Sequence, residues 1–254
     1  MEYRRVQKAL KRSVEFIKLW VYSCLDSHKE QGMYKTTSLL DLSHTEARDY
    51  LLGFDEPHKA LSGIKDFIIA YGKTLSQDEY DEIEENVWVS KSATVAPTAF
   101  LGAPCIIGPE SEIRHCAFVR GSALVGKGVV VGNSVELKNV ILFDGVQVPH
   151  YNYVGDSILG YKAHMGAGSI TSNVKSDKSS IVIHLPDGVE IETGLKKMGA
   201  ILGDYAEIGC NSVLNPGTVI SRETNVYPLS SVRGFIPASS IYKGKGNIVK
   251  KGER

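Results

Sequence analysis

The chain has 254 residues, 43% hydrophobic and 23% charged, and its 29 Lys and Arg are matched by 29 Asp and Glu. Such a composition argues against disorder and supplies no global basic field to gather nucleic acid, so any phosphate site has to be local. Four cysteines (Cys24, Cys105, Cys116, Cys210) lie far apart. They lack both the C-x-x-C spacing of zinc or redox sites and the density of a secreted disulfide scaffold, which predicts a reduced, cytoplasmic setting.

The N-terminus is basic (Arg4, Arg5, Lys8, Lys11, Arg12), and the apolar stretch 14–25 that follows is interrupted by Glu15 and Lys18. Too short and too charged to cross a bilayer, it predicts an amphipathic helix that packs on the rest of the protein, with a membrane-surface or partner contact as the alternative. Met33 offers an alternative translation start. Residues 1–86 as a whole read as a helical segment. Asp41, Ser43 and Thr45 offer capping oxygens near 46–52, and Ile64, Phe67, Ile68 and Tyr71 fall at helical spacing around 63–73. No glycine-rich phosphate loop occurs there.

From Val87 the pattern changes to a six-residue period, at Val89, Val95, Leu101, Ile107, Ile113, Val119, Val125, Val131, Leu137 and Phe143. Two positions earlier the residues are mostly small or β-branched, and glycine often follows, as at Gly102, Gly108, Gly126 and Gly132. The period slips near Pro149, resumes at Leu159 and Met165, and returns at Leu202, Ile208, Leu214, Ile220 and Val226. One six-residue strand and turn cannot bury its own apolar side chain, whereas stacked units close a continuous core. The expected architecture is mainly β: a parallel β-helix over 87–233, preceded by the helical segment and followed by a tail over 234–254. An irregular excursion near 171–197 breaks the repeat, and a long loop on a rigid scaffold is where function concentrates.

With three hexapeptides to a coil, Arg120 and Lys138 lie one coil apart on the same ladder, with no acidic partner evident there. Such a stack makes a local anion site, with Arg as a planar fork and Lys as a point charge; a solvated pair of surface charges is the plainer reading. His150 sits in Val-Pro-His-Tyr-Asn-Tyr, where the repeat slips. A histidine has the ordinary pKa of a general base, although one alone is more often structural.

Three motifs, V-G-N-S-V-E-L-K at 131–138, H-Y-N-Y-V-G-D at 150–156 and G-A-G-S-I-T-S-N at 166–173, occur in this order. In residues and spacing they resemble the acetyltransferase half of the bifunctional enzymes that acetylate glucosamine-1-phosphate and then uridylylate it, members of the hexapeptide-repeat acyltransferases. The likeness is close over about 105–178. It implies that the β-helix is left-handed and forms a homotrimer, with acetyl-CoA as co-substrate in the groove between two subunits. Arg120, Lys138 and Tyr153 would then hold the sugar phosphate, His150 would take the proton of the attacking amine, Glu136 would support His150 electrostatically, and Asn173 would orient the substrate. The backbone N–H of Ala167 would stabilise the oxyanion.

The sugar pocket departs from the family at three positions: His164 replaces a substrate-binding asparagine, Val174 a tyrosine, and Ser179 a lysine, with Lys178 adjacent as a coenzyme A contact. The acceptor expected is an amino-sugar phosphate or a related sugar nucleotide. Nothing in residues 1–86 resembles a uridylyltransferase domain. The lysines of the tail (Lys243, Lys245, Lys250, Lys251) would steer coenzyme A phosphates or form a solvated terminus. Two other readings exist on the same fold. One is a zinc enzyme of the gamma-carbonic-anhydrase kind using His115, His150 and His164, although the family spacing is missing and no metal is expected. The other is a non-catalytic sugar-phosphate-binding or scaffold β-helix.

Overall fold

A computed structural model of the chain describes residues 32–186 and 188–252. The helix expected over 14–25 lies outside the described residues.

From Val87 onward the chain winds through short strands that pair only with the coil before and the coil after. On the first face the parallel register runs Val87↔Cys105, Cys105↔Ala123, Val140↔Ala123, Val140↔Ser157, Ile158↔Ile201 and Val219↔Phe235. The second face stacks Thr94, Glu112, Val130, Gln147, His164, Glu207, Asn225 and Ile241 in the same way. On the third face the stack is Phe100, Phe118, Glu136, Tyr153, Ile170, Val213 and Ser231. The molecule is therefore a parallel β-helix. Its interior is the six-residue ladder itself: Val119, Val125, Val131, Leu137, Met165, Leu202 and Leu214 are all fully buried. Each such side chain is worth about 1.5–3 kcal/mol relative to exposure, which drives the stacking.

The slip in the repeat lies earlier than the sequence indicates. Leu137 pairs with Val119, eighteen residues back, but Val140 pairs with Ala123, seventeen back. The corner at Lys138 and Asn139 is thus one residue short, and so is the next, at Gly155 and Asp156. Phe143 hid the change because it keeps the six-residue phase; Leu142 takes the inward slot opposite Val125, and both side chains end up buried.

Between Thr171 and Ala200 the chain folds outside the coil. Where successive coils otherwise step by about eighteen residues, Ile158 pairs with Ile201, and the intervening chain leaves the helix after Thr171. It forms an antiparallel hairpin of Val182–His184 with Glu190–Glu192 and buries Ile181, Ile183, Leu185 and Met198. The hairpin lies against Gly217 and Gly234, both at φ +79°, where an added Cβ would fall 2.7 Å from Ile181 Cγ2 and 3.0 Å from the His184 carbonyl oxygen.

Helices Thr36–Leu39, Arg48–Leu52 and Ile64–Gly72, with 3-10 turns Leu42–His44 and Pro57–Gly63, precede the solenoid. The last of these helices packs on Cys105–Ile107, Ala123–Val125 and Glu136–Leu142. Strand alternation turns Ile106, Leu124, Ile141, Ile158, Ile201 and Val219 outward on the first face, yet each is at most 1% exposed. The helices and the hairpin cover them. A hydrogen-bonded latch fixes this docking: buried Asp204 accepts the N–H groups of Asp41 (2.8 Å) and Tyr161 (2.9 Å) and pairs with Arg222 at 3.1 Å. The His44 ring stacks on Tyr161 at 3.6 Å between centroids. Burial pushes the Asp204 carboxyl above its ordinary pKa.

Candidate functional site

The first face is covered, which leaves the third face open between two corners, one carrying Lys138 and Asn139, the other His150 and Tyr151. Leu137 and Val154 point inward in this layer, so their neighbours Glu136 and Tyr153, paired in register, point outward.

Arg120 and Lys138 stack as expected, since Arg120 follows Val119 in the slot below Leu137. Neither is a free cation, however, and this corrects the expected ladder without acidic partners. Arg120 Nη1 meets Glu136 Oε1 at 2.8 Å, and Lys138 Nζ meets both oxygens of Asp156 at 3.0 and 3.1 Å. The reason is the shortened corner. It places Gly155 in register with Lys138 and turns Asp156, at φ +49°, onto the ammonium group.

Asp156 is 4% exposed and gathers further donors: Asn139 Nδ2 at 3.0 Å and Asn173 Nδ2 at 2.5 Å. Asn173 also donates to Tyr153 Oη at 3.1 Å. Arg120, Lys138, Tyr153 and Asn173 therefore belong to one polar cluster knitted by Glu136 and Asp156. Partial burial, with the carboxylates of Asp156 and Glu136 nearby, raises the pKa of the Tyr153 phenol. The hydrogen bond to Glu136 raises that of Arg120.

His150 occupies the other corner and is exposed. Its N–H donates to Asn152 Oδ1 (3.2 Å) and its carbonyl accepts from Gly168 N–H (3.0 Å), while its ring forms no hydrogen bond among the described residues. Glu136, expected to support the ring, is engaged by Arg120 instead. The turn is held from within by Asn152, 2% exposed, whose amide donates to the carbonyls of Gly166 (2.9 Å) and Ser169 (3.0 Å). The sequence reading missed Asn152; an amide two positions before the inward Val154, where the coils below carry Ala117 and Val135, was the available signal.

Ala167 lies one coil above His150. Its carbonyl accepts Asn211 N–H at 2.8 Å, whereas its own N–H donates to nothing among the described residues, leaving a donor next to the imidazole corner. His164 is elsewhere: it projects from the second face and its Nδ1 contacts Glu207 Oε2 at 2.8 Å. Lys178 is exposed in the excursion at φ +59°, and Ser179 bonds Asp177. His115 hydrogen-bonds Thr98 Oγ1 at 2.9 Å. Among the described residues no group of three His, Cys, Asp or Glu side chains is placed to hold a metal ion, and no helix is long and apolar enough to cross a membrane.

A cavity of about 480 Å³ opens where the hairpin meets the C-terminal strands, lined by His184, Arg233, Tyr242 and Lys245 among others. Arg233 and Lys245 form no ion pair among the described residues. Arg233 continues the Lys138 corner: Thr171 pairs with Leu214 and Leu214 with Val232, which places it four coils up, about 19 Å at a strand spacing of ~4.8 Å.

The family model of the GMPPB C-terminal domain matches residues 104–221, the stretch that carries both corners. The chain is 33% identical over 170 residues to the bifunctional protein GlmU of Methanococcus maripaludis, a match of 66% of this chain and 41% of that protein. It is 27% identical over 183 residues to a bifunctional sugar-1-phosphate nucleotidylyltransferase/acetyltransferase of Sulfurisphaera tokodaii, 72% of this chain and 42% of that one. This is a hexapeptide-repeat chain resembling the acetyltransferase half of GlmU. It spans about two fifths of the length of these relatives. An uncharacterised acetyltransferase of Escherichia coli, YaiX, is 27% identical, over 67% of this chain and 80% of that one. Among solved structures, the polySia-specific acetyltransferase NeuO matches with a TM-score of 0.42 and 13% identity, covering 64% of this chain and 83% of that one.

Proposed function

We propose that the protein is an acetyl-CoA-dependent N-acetyltransferase whose acceptor is an amino-sugar phosphate or a nucleotide-linked amino sugar. The observation that carries the reading is the third face: an exposed imidazole with an unengaged ring at one corner, an unused N–H at Ala167 one coil above it, and a cluster of hydrogen-bonding groups at the other corner. The acceptor amine attacks the thioester carbonyl, its proton passes to His150, and the C–S bond breaks to release coenzyme A as thiolate, which is then protonated. Ala167 N–H faces the oxyanion, and Tyr153, Asn173, Arg120 and Lys138 hold the sugar and its phosphate. Both cations already have carboxylate partners, Glu136 for Arg120 and Asp156 for Lys138, which hold them in place for the acceptor phosphate.

Coenzyme A would run up the third face in the groove between two copies of a homotrimer, its phosphates near Arg233 and Lys245, in a reducing cytoplasm. Lys178 and the tail lysines would add long-range attraction. His150→Ala should abolish turnover and leave the assembly intact, and an unchanged rate sinks the assignment. Arg120→Ala should mainly raise the acceptor KM; no effect would remove Arg120 from the phosphate contacts.

A further inference from the structure

We propose that Asp156 and Asn139 are positioning residues, which set the acceptor pocket from behind without touching the acceptor. Its kinetic arm rests on the acetyl-transfer reading; its chemical arm does not.

One buried carboxylate organises the whole corner. Oδ1 of Asp156 accepts from Lys138 Nζ and Asn139 Nδ2, both at 3.0 Å; Oδ2 accepts from Lys138 Nζ at 3.1 Å and Asn173 Nδ2 at 2.5 Å. The Asp156 carbonyl takes the N–H of Gly199 at 2.8 Å, so the residue fastens both ends of the excursion, Asn173 where it leaves and Gly199 where it returns. The Asn139 amide also donates to the Leu61 carbonyl at 3.1 Å. Leu61 belongs to the 3-10 turn Pro57–Gly63 and is 2% exposed. Through this one side chain the N-terminal segment reaches the carboxylate that aims Lys138 and Asn173, and through Asn173 the Tyr153 hydroxyl.

Asn139 and Asp156 stand in the two shortened corners, at φ +55° and +49°. Asn and Asp are among the few side chains that accept this conformation readily, and there they present oxygen and amide to adjacent coils. An isosteric Asp156→Asn keeps the shape but offers one oxygen to donors that now use two, and it leaves the Lys138 ammonium without its counter-charge. Asn139→Gly removes the amide while keeping a residue suited to positive φ.

The test compares wild type, D156N and N139G in two ways. In steady-state kinetics with acetyl-CoA and the amino sugar turned over best, D156N should raise the acceptor KM by about 10- to 100-fold and N139G by about 3- to 10-fold, as expected for losing charged and neutral hydrogen bonds. The KM for acetyl-CoA should stay within about twofold, whereas a general loosening of the third face would move both KM values. The second readout needs no substrate: reductive methylation of Lys138, followed by mass spectrometry relative to the exposed Lys197, should be faster in both variants. Unchanged Lys138 labelling, or a turning-over enzyme whose acceptor KM does not move, overturns the proposal. If D156N fails to fold, N139G decides by the same two readouts. Faster labelling in the variants of a protein that acetylates no amino sugar supports the positioning geometry and overturns the acetyl-transfer reading instead.

Discussion

Gly132→Ala is the sharpest perturbation of the imidazole corner that leaves the imidazole itself in place. Gly132 lies beneath Pro149, the residue before His150, in a register that pairs Val131 with Val148 and Asn133 with His150. A Cβ at position 132 would sit 1.5 Å from the Pro149 carbonyl oxygen and 2.0 Å from its carbon. Such contacts essentially never fall below 3.0 Å, so the Pro149 and His150 backbone must withdraw by about 1.5 Å. Misplacing a reacting group by about 1 Å costs on the order of 10²-fold in rate, so kcat/KM should fall by about 100-fold or more. Overpacking by one methyl group costs about 1–3 kcal/mol, which lowers Tm by roughly 2–12 °C in a chain of this size. The assay is thiol release from acetyl-CoA beside a thermal melt, with Gly128→Asn as control, because a Cβ there meets nothing within 4 Å and Asn tolerates its φ of +63°. A Gly132→Ala protein with wild-type rate and Tm would refute the packing of His150 described above.

Three further outcomes follow from the same packing. His58 is 2% exposed, its Nδ1 lies 3.0 Å from the Tyr34 hydroxyl, and burial lowers its pKa. The unfolded chain then takes up a proton the folded one resists, so this part of the stability is present above about pH 6.5 and is lost as the pH falls towards the folded value. His58→Gln should flatten the fall in Tm between about pH 7 and 5, and an unchanged slope would contradict the assignment. The Cys105 thiol, buried and pushed up to about 12, should resist alkylation in the native protein while Cys116 and Cys210 react; peptide mapping decides, and early labelling of Cys105 would contradict the core position. Ile64→Ala, at the buried start of the helix Ile64–Gly72, should cost about 2–5 kcal/mol by denaturant unfolding, and a loss below about 0.5 kcal/mol would show that the segment does not seal the first face.

The solenoid was legible because its period is a direct image of its burial. The covered first face was legible too, and went unread: Cys105-Ile106-Ile107, Ala123-Leu124-Val125 and Val140-Ile141-Leu142 are continuous apolar triplets, the mark of strands buried on both sides. The ion pairs were harder. Asp156 is eighteen residues past Lys138, but the missing residue in its corner moves it out of the register slot and onto the ammonium, a result of backbone conformation and not of spacing. Glu136 reaches Arg120 across the ladder, sixteen residues apart, at an offset that a six-residue count does not single out. The His150 corner was visible through its motif, whereas the Asn139 bridge to Leu61 joins residues 78 apart and depends on the docking of two segments that sequence periodicity treats separately.

The most direct measurement is release of free thiol from acetyl-CoA by the purified protein, with glucosamine-1-phosphate and a panel of amino sugars and nucleotide-linked amino sugars, beside His150→Ala. Acceptor-dependent release that disappears in His150→Ala is the expected result; release that persists in the variant, or no release and no acetyl-CoA binding with any acceptor, would contradict acetyl transfer through His150.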